Sequence, residues 1–559
     1  MSSEKMTGAK LLIQSLIDEG AECIFGYPGG AVIPIYDVLY DAPIRHILTR
    51  HEQGAAHAAD GYARATGKVG VCLATSGPGA TNLITGLSTA YMDSIPMVAI
   101  TGQVPLPMIG NDSFQEADIY GISIPVTKYN YMVKDVNDLQ RIIKEAFYIA
   151  KTGRPGPVLI DIPKDIQLTT VEYKKEVPLS LSGLEPATAA DPKQIERIMA
   201  LLMDARRPVV YAGGGVISSD ASAALTQFVE KRKIPITTTL MGKGIYPETG
   251  DLSLGMLGMH GTKYANYTIY EADLILAMGV RFDDRVAGNV KKFAPLAKII
   301  HVDIDPAEFE KRMPVDLTVE GDLKVILEAL NANPKTRTRA GWLERVTQLK
   351  AQHPLSFTED GTVKPQAIIQ ALSEETCGEL VLTTDVGQHQ MWAALFYKTM
   401  ESRRFITSGG AGTMGYGFPA AIGAAVGRPD MPVVAITGDG SFQMCIQELA
   451  TIKMHNLPVK IFLFNNGFLG MVRQWQEIFH DRRYSSTTLT HNPDFCIVAK
   501  GYGIPSIKVT DPKQIRPAIE KALAMDGPVL VNFIVTPEEN VVPMLPPGGG
   551  QTEFIGENE

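Results

Sequence analysis

Two apolar runs of strand type each end in a side chain that carries oxygen. Residues 433–437 lead into the sequence GDGS, and residues 459–464 lead into NN. Because parallel sheets present the carboxyl ends of their strands at one edge, Asp439 and Asn466 are expected to meet there. Carboxylate and amide oxygens suit a small, hard cation such as Mg²⁺, which takes its other ligands from a diphosphate and water. The pair therefore predicts a site for a metal and a diphosphate.

The residues between the two runs complete a strand–helix–strand unit. A helix-like stretch covers about residues 443–455, and Gly438 and Gly440 would let the backbone approach phosphate oxygens closely. Glycine and aspartate are equally common as plain turn residues at a strand end. The GDG sequence alone therefore does not establish a ligand site, whereas the second strand with its Asn-Asn end favours one.

Glu52 is the second candidate for chemistry. It lies in the segment RHEQGAAHAADGYARATG, where it follows a strand-like run at 45–49 and opens a helix of small residues. A carboxyl packed among alanines and glycines loses contact with water, so it can hold or share a proton with a ring nitrogen. Acids in the first turn of a helix are also favoured by the helix dipole alone. From the residues alone, both interpretations of Glu52 stay open.

Length and composition limit the class of protein. The chain has 559 residues, too many for a single core, so three or four domains are expected. Apolar residues make up 45% and charged residues 20%, and the net charge is −9 without a basic run, so a nucleic-acid partner is not expected. Five cysteines without a CxxC pair indicate neither a zinc site nor a redox pair. The first residues lack a signal-peptide core and no run reaches membrane-spanning length, so we expect a cytoplasmic enzyme or binding protein without a membrane partner.

Alternating helix-like and strand-like patterns divide the chain into three parts, which predicts an α/β fold with three doubly wound parallel-sheet domains. We assign these domains to residues 1–177, 191–334 and 360–540. A Pro-, Ser- and Ala-rich linker at 178–191 and a charged connection at about 335–352 separate them, and the Pro- and Gly-rich tail 541–559 is expected to be mobile. The predicted strands are 23–26, 45–49, 70–75, 97–101, 158–162, 208–212, 236–239, 274–279, 298–305, 381–385, 433–437, 460–464 and 529–535, and the first predicted helix is 6–19.

Glycine-rich segments mark each of the three parts. Similar glycine-rich loops lead into small-residue helices at 75–90 and 407–425. In the middle part, a triple glycine at 213–215 follows a strand, and Asp303 lies at the end of another. An acid at a strand end suits a ribose or adenosine contact. Tight turns need glycine too, so the triple glycine is weak evidence on its own.

Together these segments resemble the motifs of thiamine diphosphate enzymes, in which GDG…NN holds the diphosphate and a glutamate holds the aminopyrimidine ring. The resemblance is more specific in FGYPGGAVIPIYD, TSGPGATN, GRPGPVLIDIPKD, GMLGMHG, GVRFDDRV, TTDVGQHQMW and PMLPPG. Over residues 5–555 the chain resembles the catalytic large subunits of the acetohydroxyacid synthase, or acetolactate synthase, family. That resemblance implies a pyrimidine-binding domain, a central FAD-binding Rossmann-like domain and a diphosphate-binding domain.

The resemblance also implies roles in cofactor binding. Glu52 would activate thiamine diphosphate through its aminopyrimidine ring, because the cofactor's own amino group is the base that acts on the thiazolium carbon. Met414 would support the bent cofactor, although a lone methionine is otherwise core filler. Asp439, Asn466 and the backbone oxygen of Phe468 would bind Mg²⁺, with Gly467-Phe468 standing where the family usually has acidic residues. The remaining contacts implied for thiamine diphosphate are Gly26, Pro28, Gly29, Pro78, Asn82, Gln388, His389, Gly412, Gly438, Gly440, Ser441 and Phe468.

Contacts to FAD and to two 2-keto acids are implied as well. Arg281 would bind the carboxylate of the acceptor as a bidentate partner. Trp475 would favour 2-ketobutyrate over pyruvate, because apolar area stabilises the extra methylene by about 0.8 kcal/mol. Phe114 and the catalytic Gln115 and Lys164 would line the substrate entrance; without the resemblance, Lys164 is a surface lysine and Trp475 a packing residue. The implied FAD contacts are Arg154, Gly213, Gly214, Gly215, His260, Gly261, Arg281, Asp283, Asp303 and Asp322.

The implied activity is thiamine-dependent decarboxylation of pyruvate and carboligation to a second 2-keto acid, pyruvate or 2-ketobutyrate. This is the first common step of valine, leucine and isoleucine biosynthesis, and the flavin would have no redox role in it. The alternatives are a flavin-dependent pyruvate oxidase, a catabolic acetolactate synthase without flavin, and a cofactor-binding module without activity. RFDDR and Trp475 favour the synthase over the oxidase. The resemblance further implies a homodimer with active sites between subunits, or a tetramer, and a separate small regulatory subunit.

Overall fold

Three six-stranded sheets organise the chain in the computed structural model, which describes residues 5–179, 181 and 190–556. Most of the predicted linker at 178–191 lies outside the described residues. All neighbouring strands within each of these sheets are parallel. An antiparallel pair, Lys5–Thr7 with Thr170–Glu172, ties together the two ends of the first part. The predicted fold class is therefore confirmed.

Each sheet has the strand order of a doubly wound fold, in which the chain runs outward from the middle in both directions. From edge to edge, the first sheet contains Arg45–Leu48, Cys23–Gly26, Gly70–Ala74, Met97–Gln103, Pro157–Pro163 and Tyr129–Met132. The central sheet contains Ser253–Met256, Ile236–Thr238, Pro208–Ala212, Leu274–Met278, Lys298–Asp303 and Leu317–Glu320. The third contains Phe405–Thr407, Val381–Thr384, Val433–Gly438, Val459–Asn465, Val529–Ile534 and Ser506–Val509.

Helices cover both faces of the sheets, so the central strands are buried on both sides. Met97–Gln103 and Pro157–Pro163 are buried at every position. Successive side chains of a strand point to opposite faces, and Ile24 and Phe25 accordingly enter two different hydrophobic cores. Burial on both faces produces the continuous apolar runs from which these strands can be predicted.

The five strands of these sheets that the sequence pattern does not predict all lie at sheet edges. Their burial is mixed; Tyr129–Met132, for example, has one exposed, one buried and two half-buried residues. An edge strand needs no continuous apolar run because one of its sides is open, so pattern-based prediction misses it. The five are Tyr129–Met132, Ser253–Met256, Leu317–Glu320, Phe405–Thr407 and Ser506–Val509.

No helix in the described part of the chain is long and apolar enough to cross a membrane. The helices of the first part are Gly8–Asp18, Ile33–Leu39, Glu52–Thr66, Pro78–Thr81, Ile84–Asp93, Ile119–Ser123, Leu139–Lys151 and Lys164–Leu168. Those that follow up to residue 352 are Pro192–Asp204, Gly214–Ser218, Ser222–Arg232, Lys263–Glu271, Asp284–Ala287, Leu323–Ala332 and Ala340–Gln352. The third part contains Pro365–Thr376, Gln388–Phe396, Gly417–Gly427, Asp439–Gln443, Leu449–Met454, Gly470–Phe479, Phe495–Gly501 and Ile515–Ala524.

One predicted helix and one predicted connection differ in part from the structure. The helix predicted at 443–455 is divided into Asp439–Gln443, a 3₁₀ turn at Ile446–Glu448 and Leu449–Met454, because Cys445 leaves the helical conformation at φ −139° and ψ 18°. The connection predicted at 335–352 contains the helix Ala340–Gln352, and its Trp342 and Val346 are buried in a core of the central part.

The C-terminal tail, for which the composition indicated mobility, packs across the central part as far as it is described. The backbone N–H of Leu545 donates to Met259 O at 2.9 Å. Gln551 is 1% exposed, and its Nε2 donates to Val286 O at 2.8 Å. These contacts fix the tail at two points of the central part.

Two glycine- and alanine-rich helices, one from the first part and one from the third, pack against each other. Where Glu52–Thr66 crosses Gly417–Gly427, a Cβ atom on Gly61 would lie 2.2 Å from Ala420 O, and one on Gly423 would lie 1.8 Å from Ala58 O. The two backbones therefore touch with no side chain between them, which only glycine allows.

Gly423→Ala is expected to destabilise the protein. Its methyl group would meet backbone atoms that cannot rotate away, and such overpacking costs about 1–3 kcal/mol or more. Gly341→Ala is the matched control, because Gly341 also lies in a helix and no atom is within 4 Å of its Cβ position; alanine should stabilise there by up to about 1 kcal/mol. Urea unfolding followed by circular dichroism measures both. A Gly423→Ala protein as stable as the wild type would contradict this packing.

Candidate active site

Glu52 lies at the carboxyl edge of the first sheet, at the start of the long helix Glu52–Thr66 that follows Arg45–Leu48. The side chain of His51 caps this helix by accepting a hydrogen bond from the backbone N–H of Gln53 at 3.1 Å. Glu52 is 9% exposed, and its Oε2 accepts a hydrogen bond from Asn82 Nδ2 at 2.9 Å. The structure thus brings together two residues that the sequence implied at the pyrimidine end of the cofactor.

The loop at 26–29 lies beside this pair. Gly26 ends the strand Cys23–Gly26, and Pro28 and Gly29 follow it at the same sheet edge. A Cβ atom on Gly29 would lie 2.5 Å from the side chain of Thr75, so the loop can pack against Thr75 only because residue 29 is glycine. This close packing leaves backbone atoms, rather than side chains, lining this side of the edge.

The residues implied at the substrate entrance lie around the same edge. Pro78 begins the short helix Pro78–Thr81, and a Cβ atom on the preceding Gly77 would lie 2.8 Å from the carbonyl oxygen of Gln115. Gln115 itself has a left-handed backbone, with φ 57°. Lys164 begins the helix that follows Pro157–Pro163 at its carboxyl end. Phe114, by contrast, is 88% exposed in the single chain.

Asp439 and Asn466 meet at the carboxyl edge of the third sheet, as predicted, and line the same pocket. They follow the neighbouring strands Val433–Gly438 and Val459–Asn465. Oδ2 of Asp439 accepts hydrogen bonds from the backbone N–H of Gly467 at 3.0 Å and from Asn492 Nδ2 at 2.6 Å. Burial raises the pKa of Asp439 to about 6, an effect that a cation beside the carboxylate would oppose.

The turn after Asn466 positions the implied backbone ligand, Phe468. Gly467 has φ 69°, a conformation that favours glycine, and Oδ1 of Asn466 accepts a hydrogen bond from the backbone N–H of Phe468 at 3.0 Å. Phe468 also pairs with Thr488 in an isolated antiparallel bridge. The glycine thus makes a tight turn that keeps Phe468 beside the pair, where the family usually has acidic residues.

The residues implied at the diphosphate end line the pocket of Asp439 and Asn466; they are Gln388, His389, Met414, Gly438, Gly440 and Ser441. His389 is 7% exposed, and its Nε2 is a buried atom with no hydrogen-bond partner among the described residues. Burial lowers the pKa of His389 to about 3, so the ring is neutral and has one N–H to donate. An unpartnered ring nitrogen beside a strand-end acid and two glycines fits a site for a diphosphate with its metal ion.

Met414 follows a sharp turn in the glycine-rich loop of the third part. Gly412 has φ 63° and makes that turn. The side chain of Met414 is half-buried, and its Cε lies 3.7 Å from the Cβ position of Gly440. The methionine therefore projects into the pocket at the glycine next to Asp439, as the implied support of a bent cofactor requires.

The pocket of Asp439 is lined, among the described residues, by the third domain alone. All residues that line the pocket of Asp439 lie between 386 and 535. Glu52 instead contacts Asn82, a residue of its own domain. A complete site with both ends therefore needs more than the pocket that one chain forms.

The triple glycine at 213–215 lies at the carboxyl edge of the central sheet, after Pro208–Ala212. A Cβ atom on Gly215 would lie 2.7 Å from Cα of Gly279, the residue after the neighbouring strand Leu274–Met278. Close packing of two strand ends thus accounts for glycine at 215. Without side chains, the backbone of these glycines is also of the type that can approach a ligand's phosphates.

His260 and Asp303 are the polar groups at this edge that fit FAD best. Nε2 of His260 is buried and has no hydrogen-bond partner among the described residues, and burial lowers the pKa of this ring to about 4. Gly261 follows it in the loop after Ser253–Met256. Asp303 ends the strand Lys298–Asp303, and burial raises its pKa to about 6. A neutral ring and a strand-end acid are groups that a dinucleotide can engage.

Three other implied FAD contacts already have partners in the protein. Asp283 and Asp322 cap the helices Asp284–Ala287 and Leu323–Ala332 through backbone N–H groups. Arg154 extends from the first part and pairs with Asp305 at 3.1 Å and with Glu308 at 2.6 Å. Asp283 and Asp322 therefore cap helices, and Arg154 connects the first part to the central part, independently of any bound ligand.

Arg281 and Trp475 lie where the central part meets the third. Nη2 of Arg281 lies 3.1 Å from the Cβ position of Gly410, in the loop that leads to Met414. The half-buried ring of Trp475 packs against Phe479 at 5.4 Å and against the Arg285 guanidinium at 5.7 Å. Trp475 also lines an open cavity with Val472, Gln476, His480, Arg483 and Ser485. The Trp475 side chain is thus neither buried in a core nor fully exposed to solvent.

Sequence reasoning missed Asp385 and Asn492. Asp385 is fully buried, and its Oδ1 accepts hydrogen bonds from the backbone N–H groups of Gly415 at 2.7 Å and Tyr416 at 3.1 Å, just after Met414. It ends a predicted strand, so the rule that identified Asp439 would have identified it too. Asn492, which donates to Asp439, lies 53 residues away in a loop without a pattern, and no signal marks it.

An Asp–Asn pair at a strand edge in one domain and a buried glutamate in another is the arrangement that the resemblance to thiamine diphosphate enzymes implies. Family comparisons assign the chain to this class. Residues 6–122 match the N-terminal TPP binding domain of thiamine pyrophosphate enzymes, residues 195–330 their central domain and residues 385–533 their C-terminal TPP binding domain.

Individual relatives define the family more narrowly. The probable acetolactate synthase large subunit of Methanocaldococcus jannaschii is 49% identical, with 98% of this chain and 95% of that protein covered. The acetolactate synthase large subunits of Pyropia yezoensis and Corynebacterium glutamicum are both 48% identical, covering 100% and 99% of this chain and 96% and 90% of their own lengths. The chain belongs to the acetolactate synthase large subunit family, which confirms the resemblance seen in its sequence.

Proposed function

We propose that the protein synthesises acetolactate from two molecules of pyruvate, and 2-aceto-2-hydroxybutyrate from pyruvate and 2-ketobutyrate. Each reaction releases carbon dioxide from one pyruvate and forms a carbon–carbon bond to the second keto acid, at the start of branched-chain amino acid biosynthesis. The observation that carries the proposal is that a chain matching proteins named acetolactate synthase over its full length keeps Glu52, Asp439 and Asn466 at strand-end sites.

The first domain would hold the ring of the cofactor. Thiamine diphosphate, when bound, supplies a nucleophilic carbon and a ring that accepts electrons as carbon dioxide leaves. Glu52 would hold a proton at its carboxyl, shared with a ring nitrogen, and the hydrogen bond from Asn82 fixes the orientation of that carboxyl. Its burial excludes water that would compete for the same proton.

The third domain would hold the charged end. Mg²⁺ would be bound by Asp439, Asn466 and the backbone oxygen of Phe468, and the diphosphate by Gln388, His389, Ser441 and the glycines around Asp439. The unpartnered Nε2 of His389 supports this role. Gln115 and Lys164 from the first domain would line the way to the reacting carbon, and Arg281 would bind the acceptor carboxylate.

We also infer that the active enzyme is at least a homodimer, with each site formed by two copies. The separation of Glu52 from the pocket of Asp439 within one chain supports this arrangement. Closed two-fold dimers are the commonest assembly of identical chains. Tetramers would contain the same paired sites.

Mixing two inactive variants tests the shared site. Glu52→Gln and Asp439→Ala homodimers would each lack one half of every site, whereas a mixed dimer has one intact site and one with both changes. After exchange of subunits, roughly a quarter of the wild-type activity is expected from statistical pairing. Each variant mixed with itself is the control. No recovery after exchange proven by mass spectrometry would contradict the shared site.

We propose FAD as a further cofactor of the central domain, without a redox role. The unpartnered Nε2 of His260 and the position of Asp303 support it. Anaerobic turnover of pyruvate separates this enzyme from a flavin-dependent pyruvate oxidase: acetolactate should form while flavin absorbance stays constant. Flavin bleaching without acetolactate would contradict the synthase. A purified protein without yellow colour that does not respond to added FAD would instead indicate a catabolic, flavin-free synthase.

Trp475→Leu is expected to lower the preference for 2-ketobutyrate over pyruvate. The indole lines a cavity and offers apolar area to the extra methylene, which is worth about 0.8 kcal/mol, or roughly a fourfold preference. Competition between the two acceptors, followed by product ratio, measures the change. Phe479→Leu controls for lost packing against the same ring. An unchanged ratio in Trp475→Leu would assign the tryptophan to packing alone.

We propose domains at residues 1–177, 191–334 and 360–540, followed by the tail 541–559. The packing of Trp342 supports adding residues up to 352 to the central domain.

The relatives are named large subunits, so a separate small regulatory subunit is a proposed partner. Copurification from the native source, with feedback by branched-chain amino acids measured on the complex, tests this partner.

A further inference from the structure

Glu448 is a buried carboxyl for which the proposed reaction has no use. It is 0% exposed and ends the 3₁₀ turn Ile446–Glu448, directly before the helix Leu449–Met454. Burial raises its pKa to about 7. Burying a carboxyl costs free energy unless its oxygens are well bonded, so its partners indicate what it does.

The partners of Glu448 lie in the first domain. The backbone N–H of Arg50 donates to both carboxyl oxygens, at 3.0 and 3.2 Å, from a point 398 residues away in sequence. On its own side, Thr451 Oγ1 donates to Oε2 of Glu448 at 2.6 Å and thereby orients the carboxyl. Arg50 lies two residues before Glu52, in the loop between Arg45–Leu48 and the helix that presents Glu52.

Further contacts hold the same stretch of the first domain. Nε2 of His455 accepts a hydrogen bond from the backbone N–H of Leu48 at 3.2 Å. A Cβ atom on Gly54 would lie 2.5 Å from Oε1 of Glu448, so the first turn of the helix approaches the carboxyl as closely as glycine allows. Residues 448–455 thus contact the chain on both sides of Glu52, at residues 48–50 before it and at residue 54 after it.

We propose that Glu448 is a positioning residue: from the third domain, its carboxyl holds the backbone before Glu52 and so fixes where the catalytic carboxyl points. A buried, well-bonded carboxyl gives a more rigid anchor than the helix cap at His51 alone. Because the helix begins at Glu52, a shift of the loop at residue 50 moves the Glu52 side chain directly.

The same segment is also continuous in sequence with the other half-site. Glu448 follows Asp439 through the continuous stretch 439–454, so the chain that carries the metal ligand also holds the loop of Glu52. In a dimer with shared sites, these two residues serve different active centres. Glu448 therefore links the geometry of one centre to that of the other.

Hydrogen exchange of the full-length wild type and Glu448→Ala, without added cofactor, tests the contact. Loss of a charged hydrogen-bond acceptor should increase exchange in peptides covering residues 48–55 by roughly 10- to 100-fold. Glu448→Gln keeps one carbonyl oxygen as acceptor, so a smaller increase is expected. If Glu448→Ala does not fold, Glu448→Gln carries the test; Thr451→Val is unsuitable, because Thr451 Oγ1 also lies 3.3 Å from Leu48 O and acts on these peptides directly. Wild-type exchange at 48–55 in every folded variant would overturn the proposal.

Kinetics test the consequence, which rests on the proposed role of Glu52. With Mg²⁺ and thiamine diphosphate present, kcat of Glu448→Ala should fall roughly 10- to 100-fold, as for other residues that orient a catalytic group, while KM for pyruvate changes little. Glu145→Ala is the matched control, because it also removes a carboxyl from a 2% exposed residue but its partners are Tyr131 and Arg141. An equal loss of kcat in Glu145→Ala would overturn positioning and show general destabilisation. A wild type that forms no acetolactate would refute the proposed function, while the exchange result still decides the contact.

Discussion

Glu52→Gln is expected to lower acetolactate formation by about 10²- to 10⁴-fold, the range that positioned proton transfer contributes. Glutamine keeps the shape of the side chain, and its carbonyl oxygen can still accept the hydrogen bond from Asn82. It cannot hold or share a proton with a ring nitrogen. Mg²⁺-dependent binding of thiamine diphosphate should survive, because Asp439 and Asn466 lie in a different pocket.

Two measurements on the same preparation separate a loss of catalysis from a loss of cofactor binding. Steady-state kcat reports the chemistry, and quenching of Trp392, which lines the pocket of Asp439, reports cofactor binding. Glu172→Gln makes the same chemical change on an exposed residue of the strand Thr170–Glu172 and should have no effect. Near-normal turnover in Glu52→Gln would contradict the mechanism, whereas a loss of cofactor binding would show that Glu52 maintains structure.

Asp439→Ala is expected to weaken Mg²⁺-dependent binding of thiamine diphosphate by about 100-fold or more, since even residues behind a metal ligand contribute 10- to 100-fold. The change removes one of the two proposed side-chain ligands of Mg²⁺ and leaves Asn492 and the backbone N–H of Gly467 without their acceptor. Activity should fall in parallel, because the cofactor is no longer held at its charged end.

Removing the metal gives an independent check. A chelator should weaken cofactor binding to the wild type by a similar factor and have no further effect on Asp439→Ala. Asp430→Ala is the control, since this exposed residue precedes the same strand and pairs with Arg428 on the surface. Full Mg²⁺ dependence in Asp439→Ala would place the metal elsewhere.

The central strands could be predicted from the sequence because burial on both faces leaves continuous apolar runs, as in residues 97–101 and 158–162. Five of the six edge strands could not, since a side open to solvent weakens that signal. The sequence predicts one helix at 443–455 because Cys445 carries no helix-breaking signal. In the structure the helix is interrupted there, and residues after the break contact a distant domain. Such tertiary contacts leave no local pattern.

The residues of the site also divide into those that the sequence predicts and those that it does not. Residues at the ends of predicted strands, such as Asp439, Asn466 and Asp303, could be identified because topology fixes where strand ends meet. Glu448 and Asn492 could not, because their importance depends on partners 398 and 53 residues away. The resemblance supplied roles for Arg281 and Trp475 that spacing alone does not give, and the structure adds their place at the meeting of two domains.

The crossing of Glu52–Thr66 with Gly417–Gly427 has a consequence for how such chains can diverge. At Gly61 and Gly423 the residue type is dictated by space between two backbones and has no part in catalysis. A descendant could therefore lose Glu52 yet keep the crossing, and it would fold in the same way while catalysing nothing. The long small-residue segment is thus determined by architecture, and the proposed catalytic function depends on a single carboxyl at its beginning.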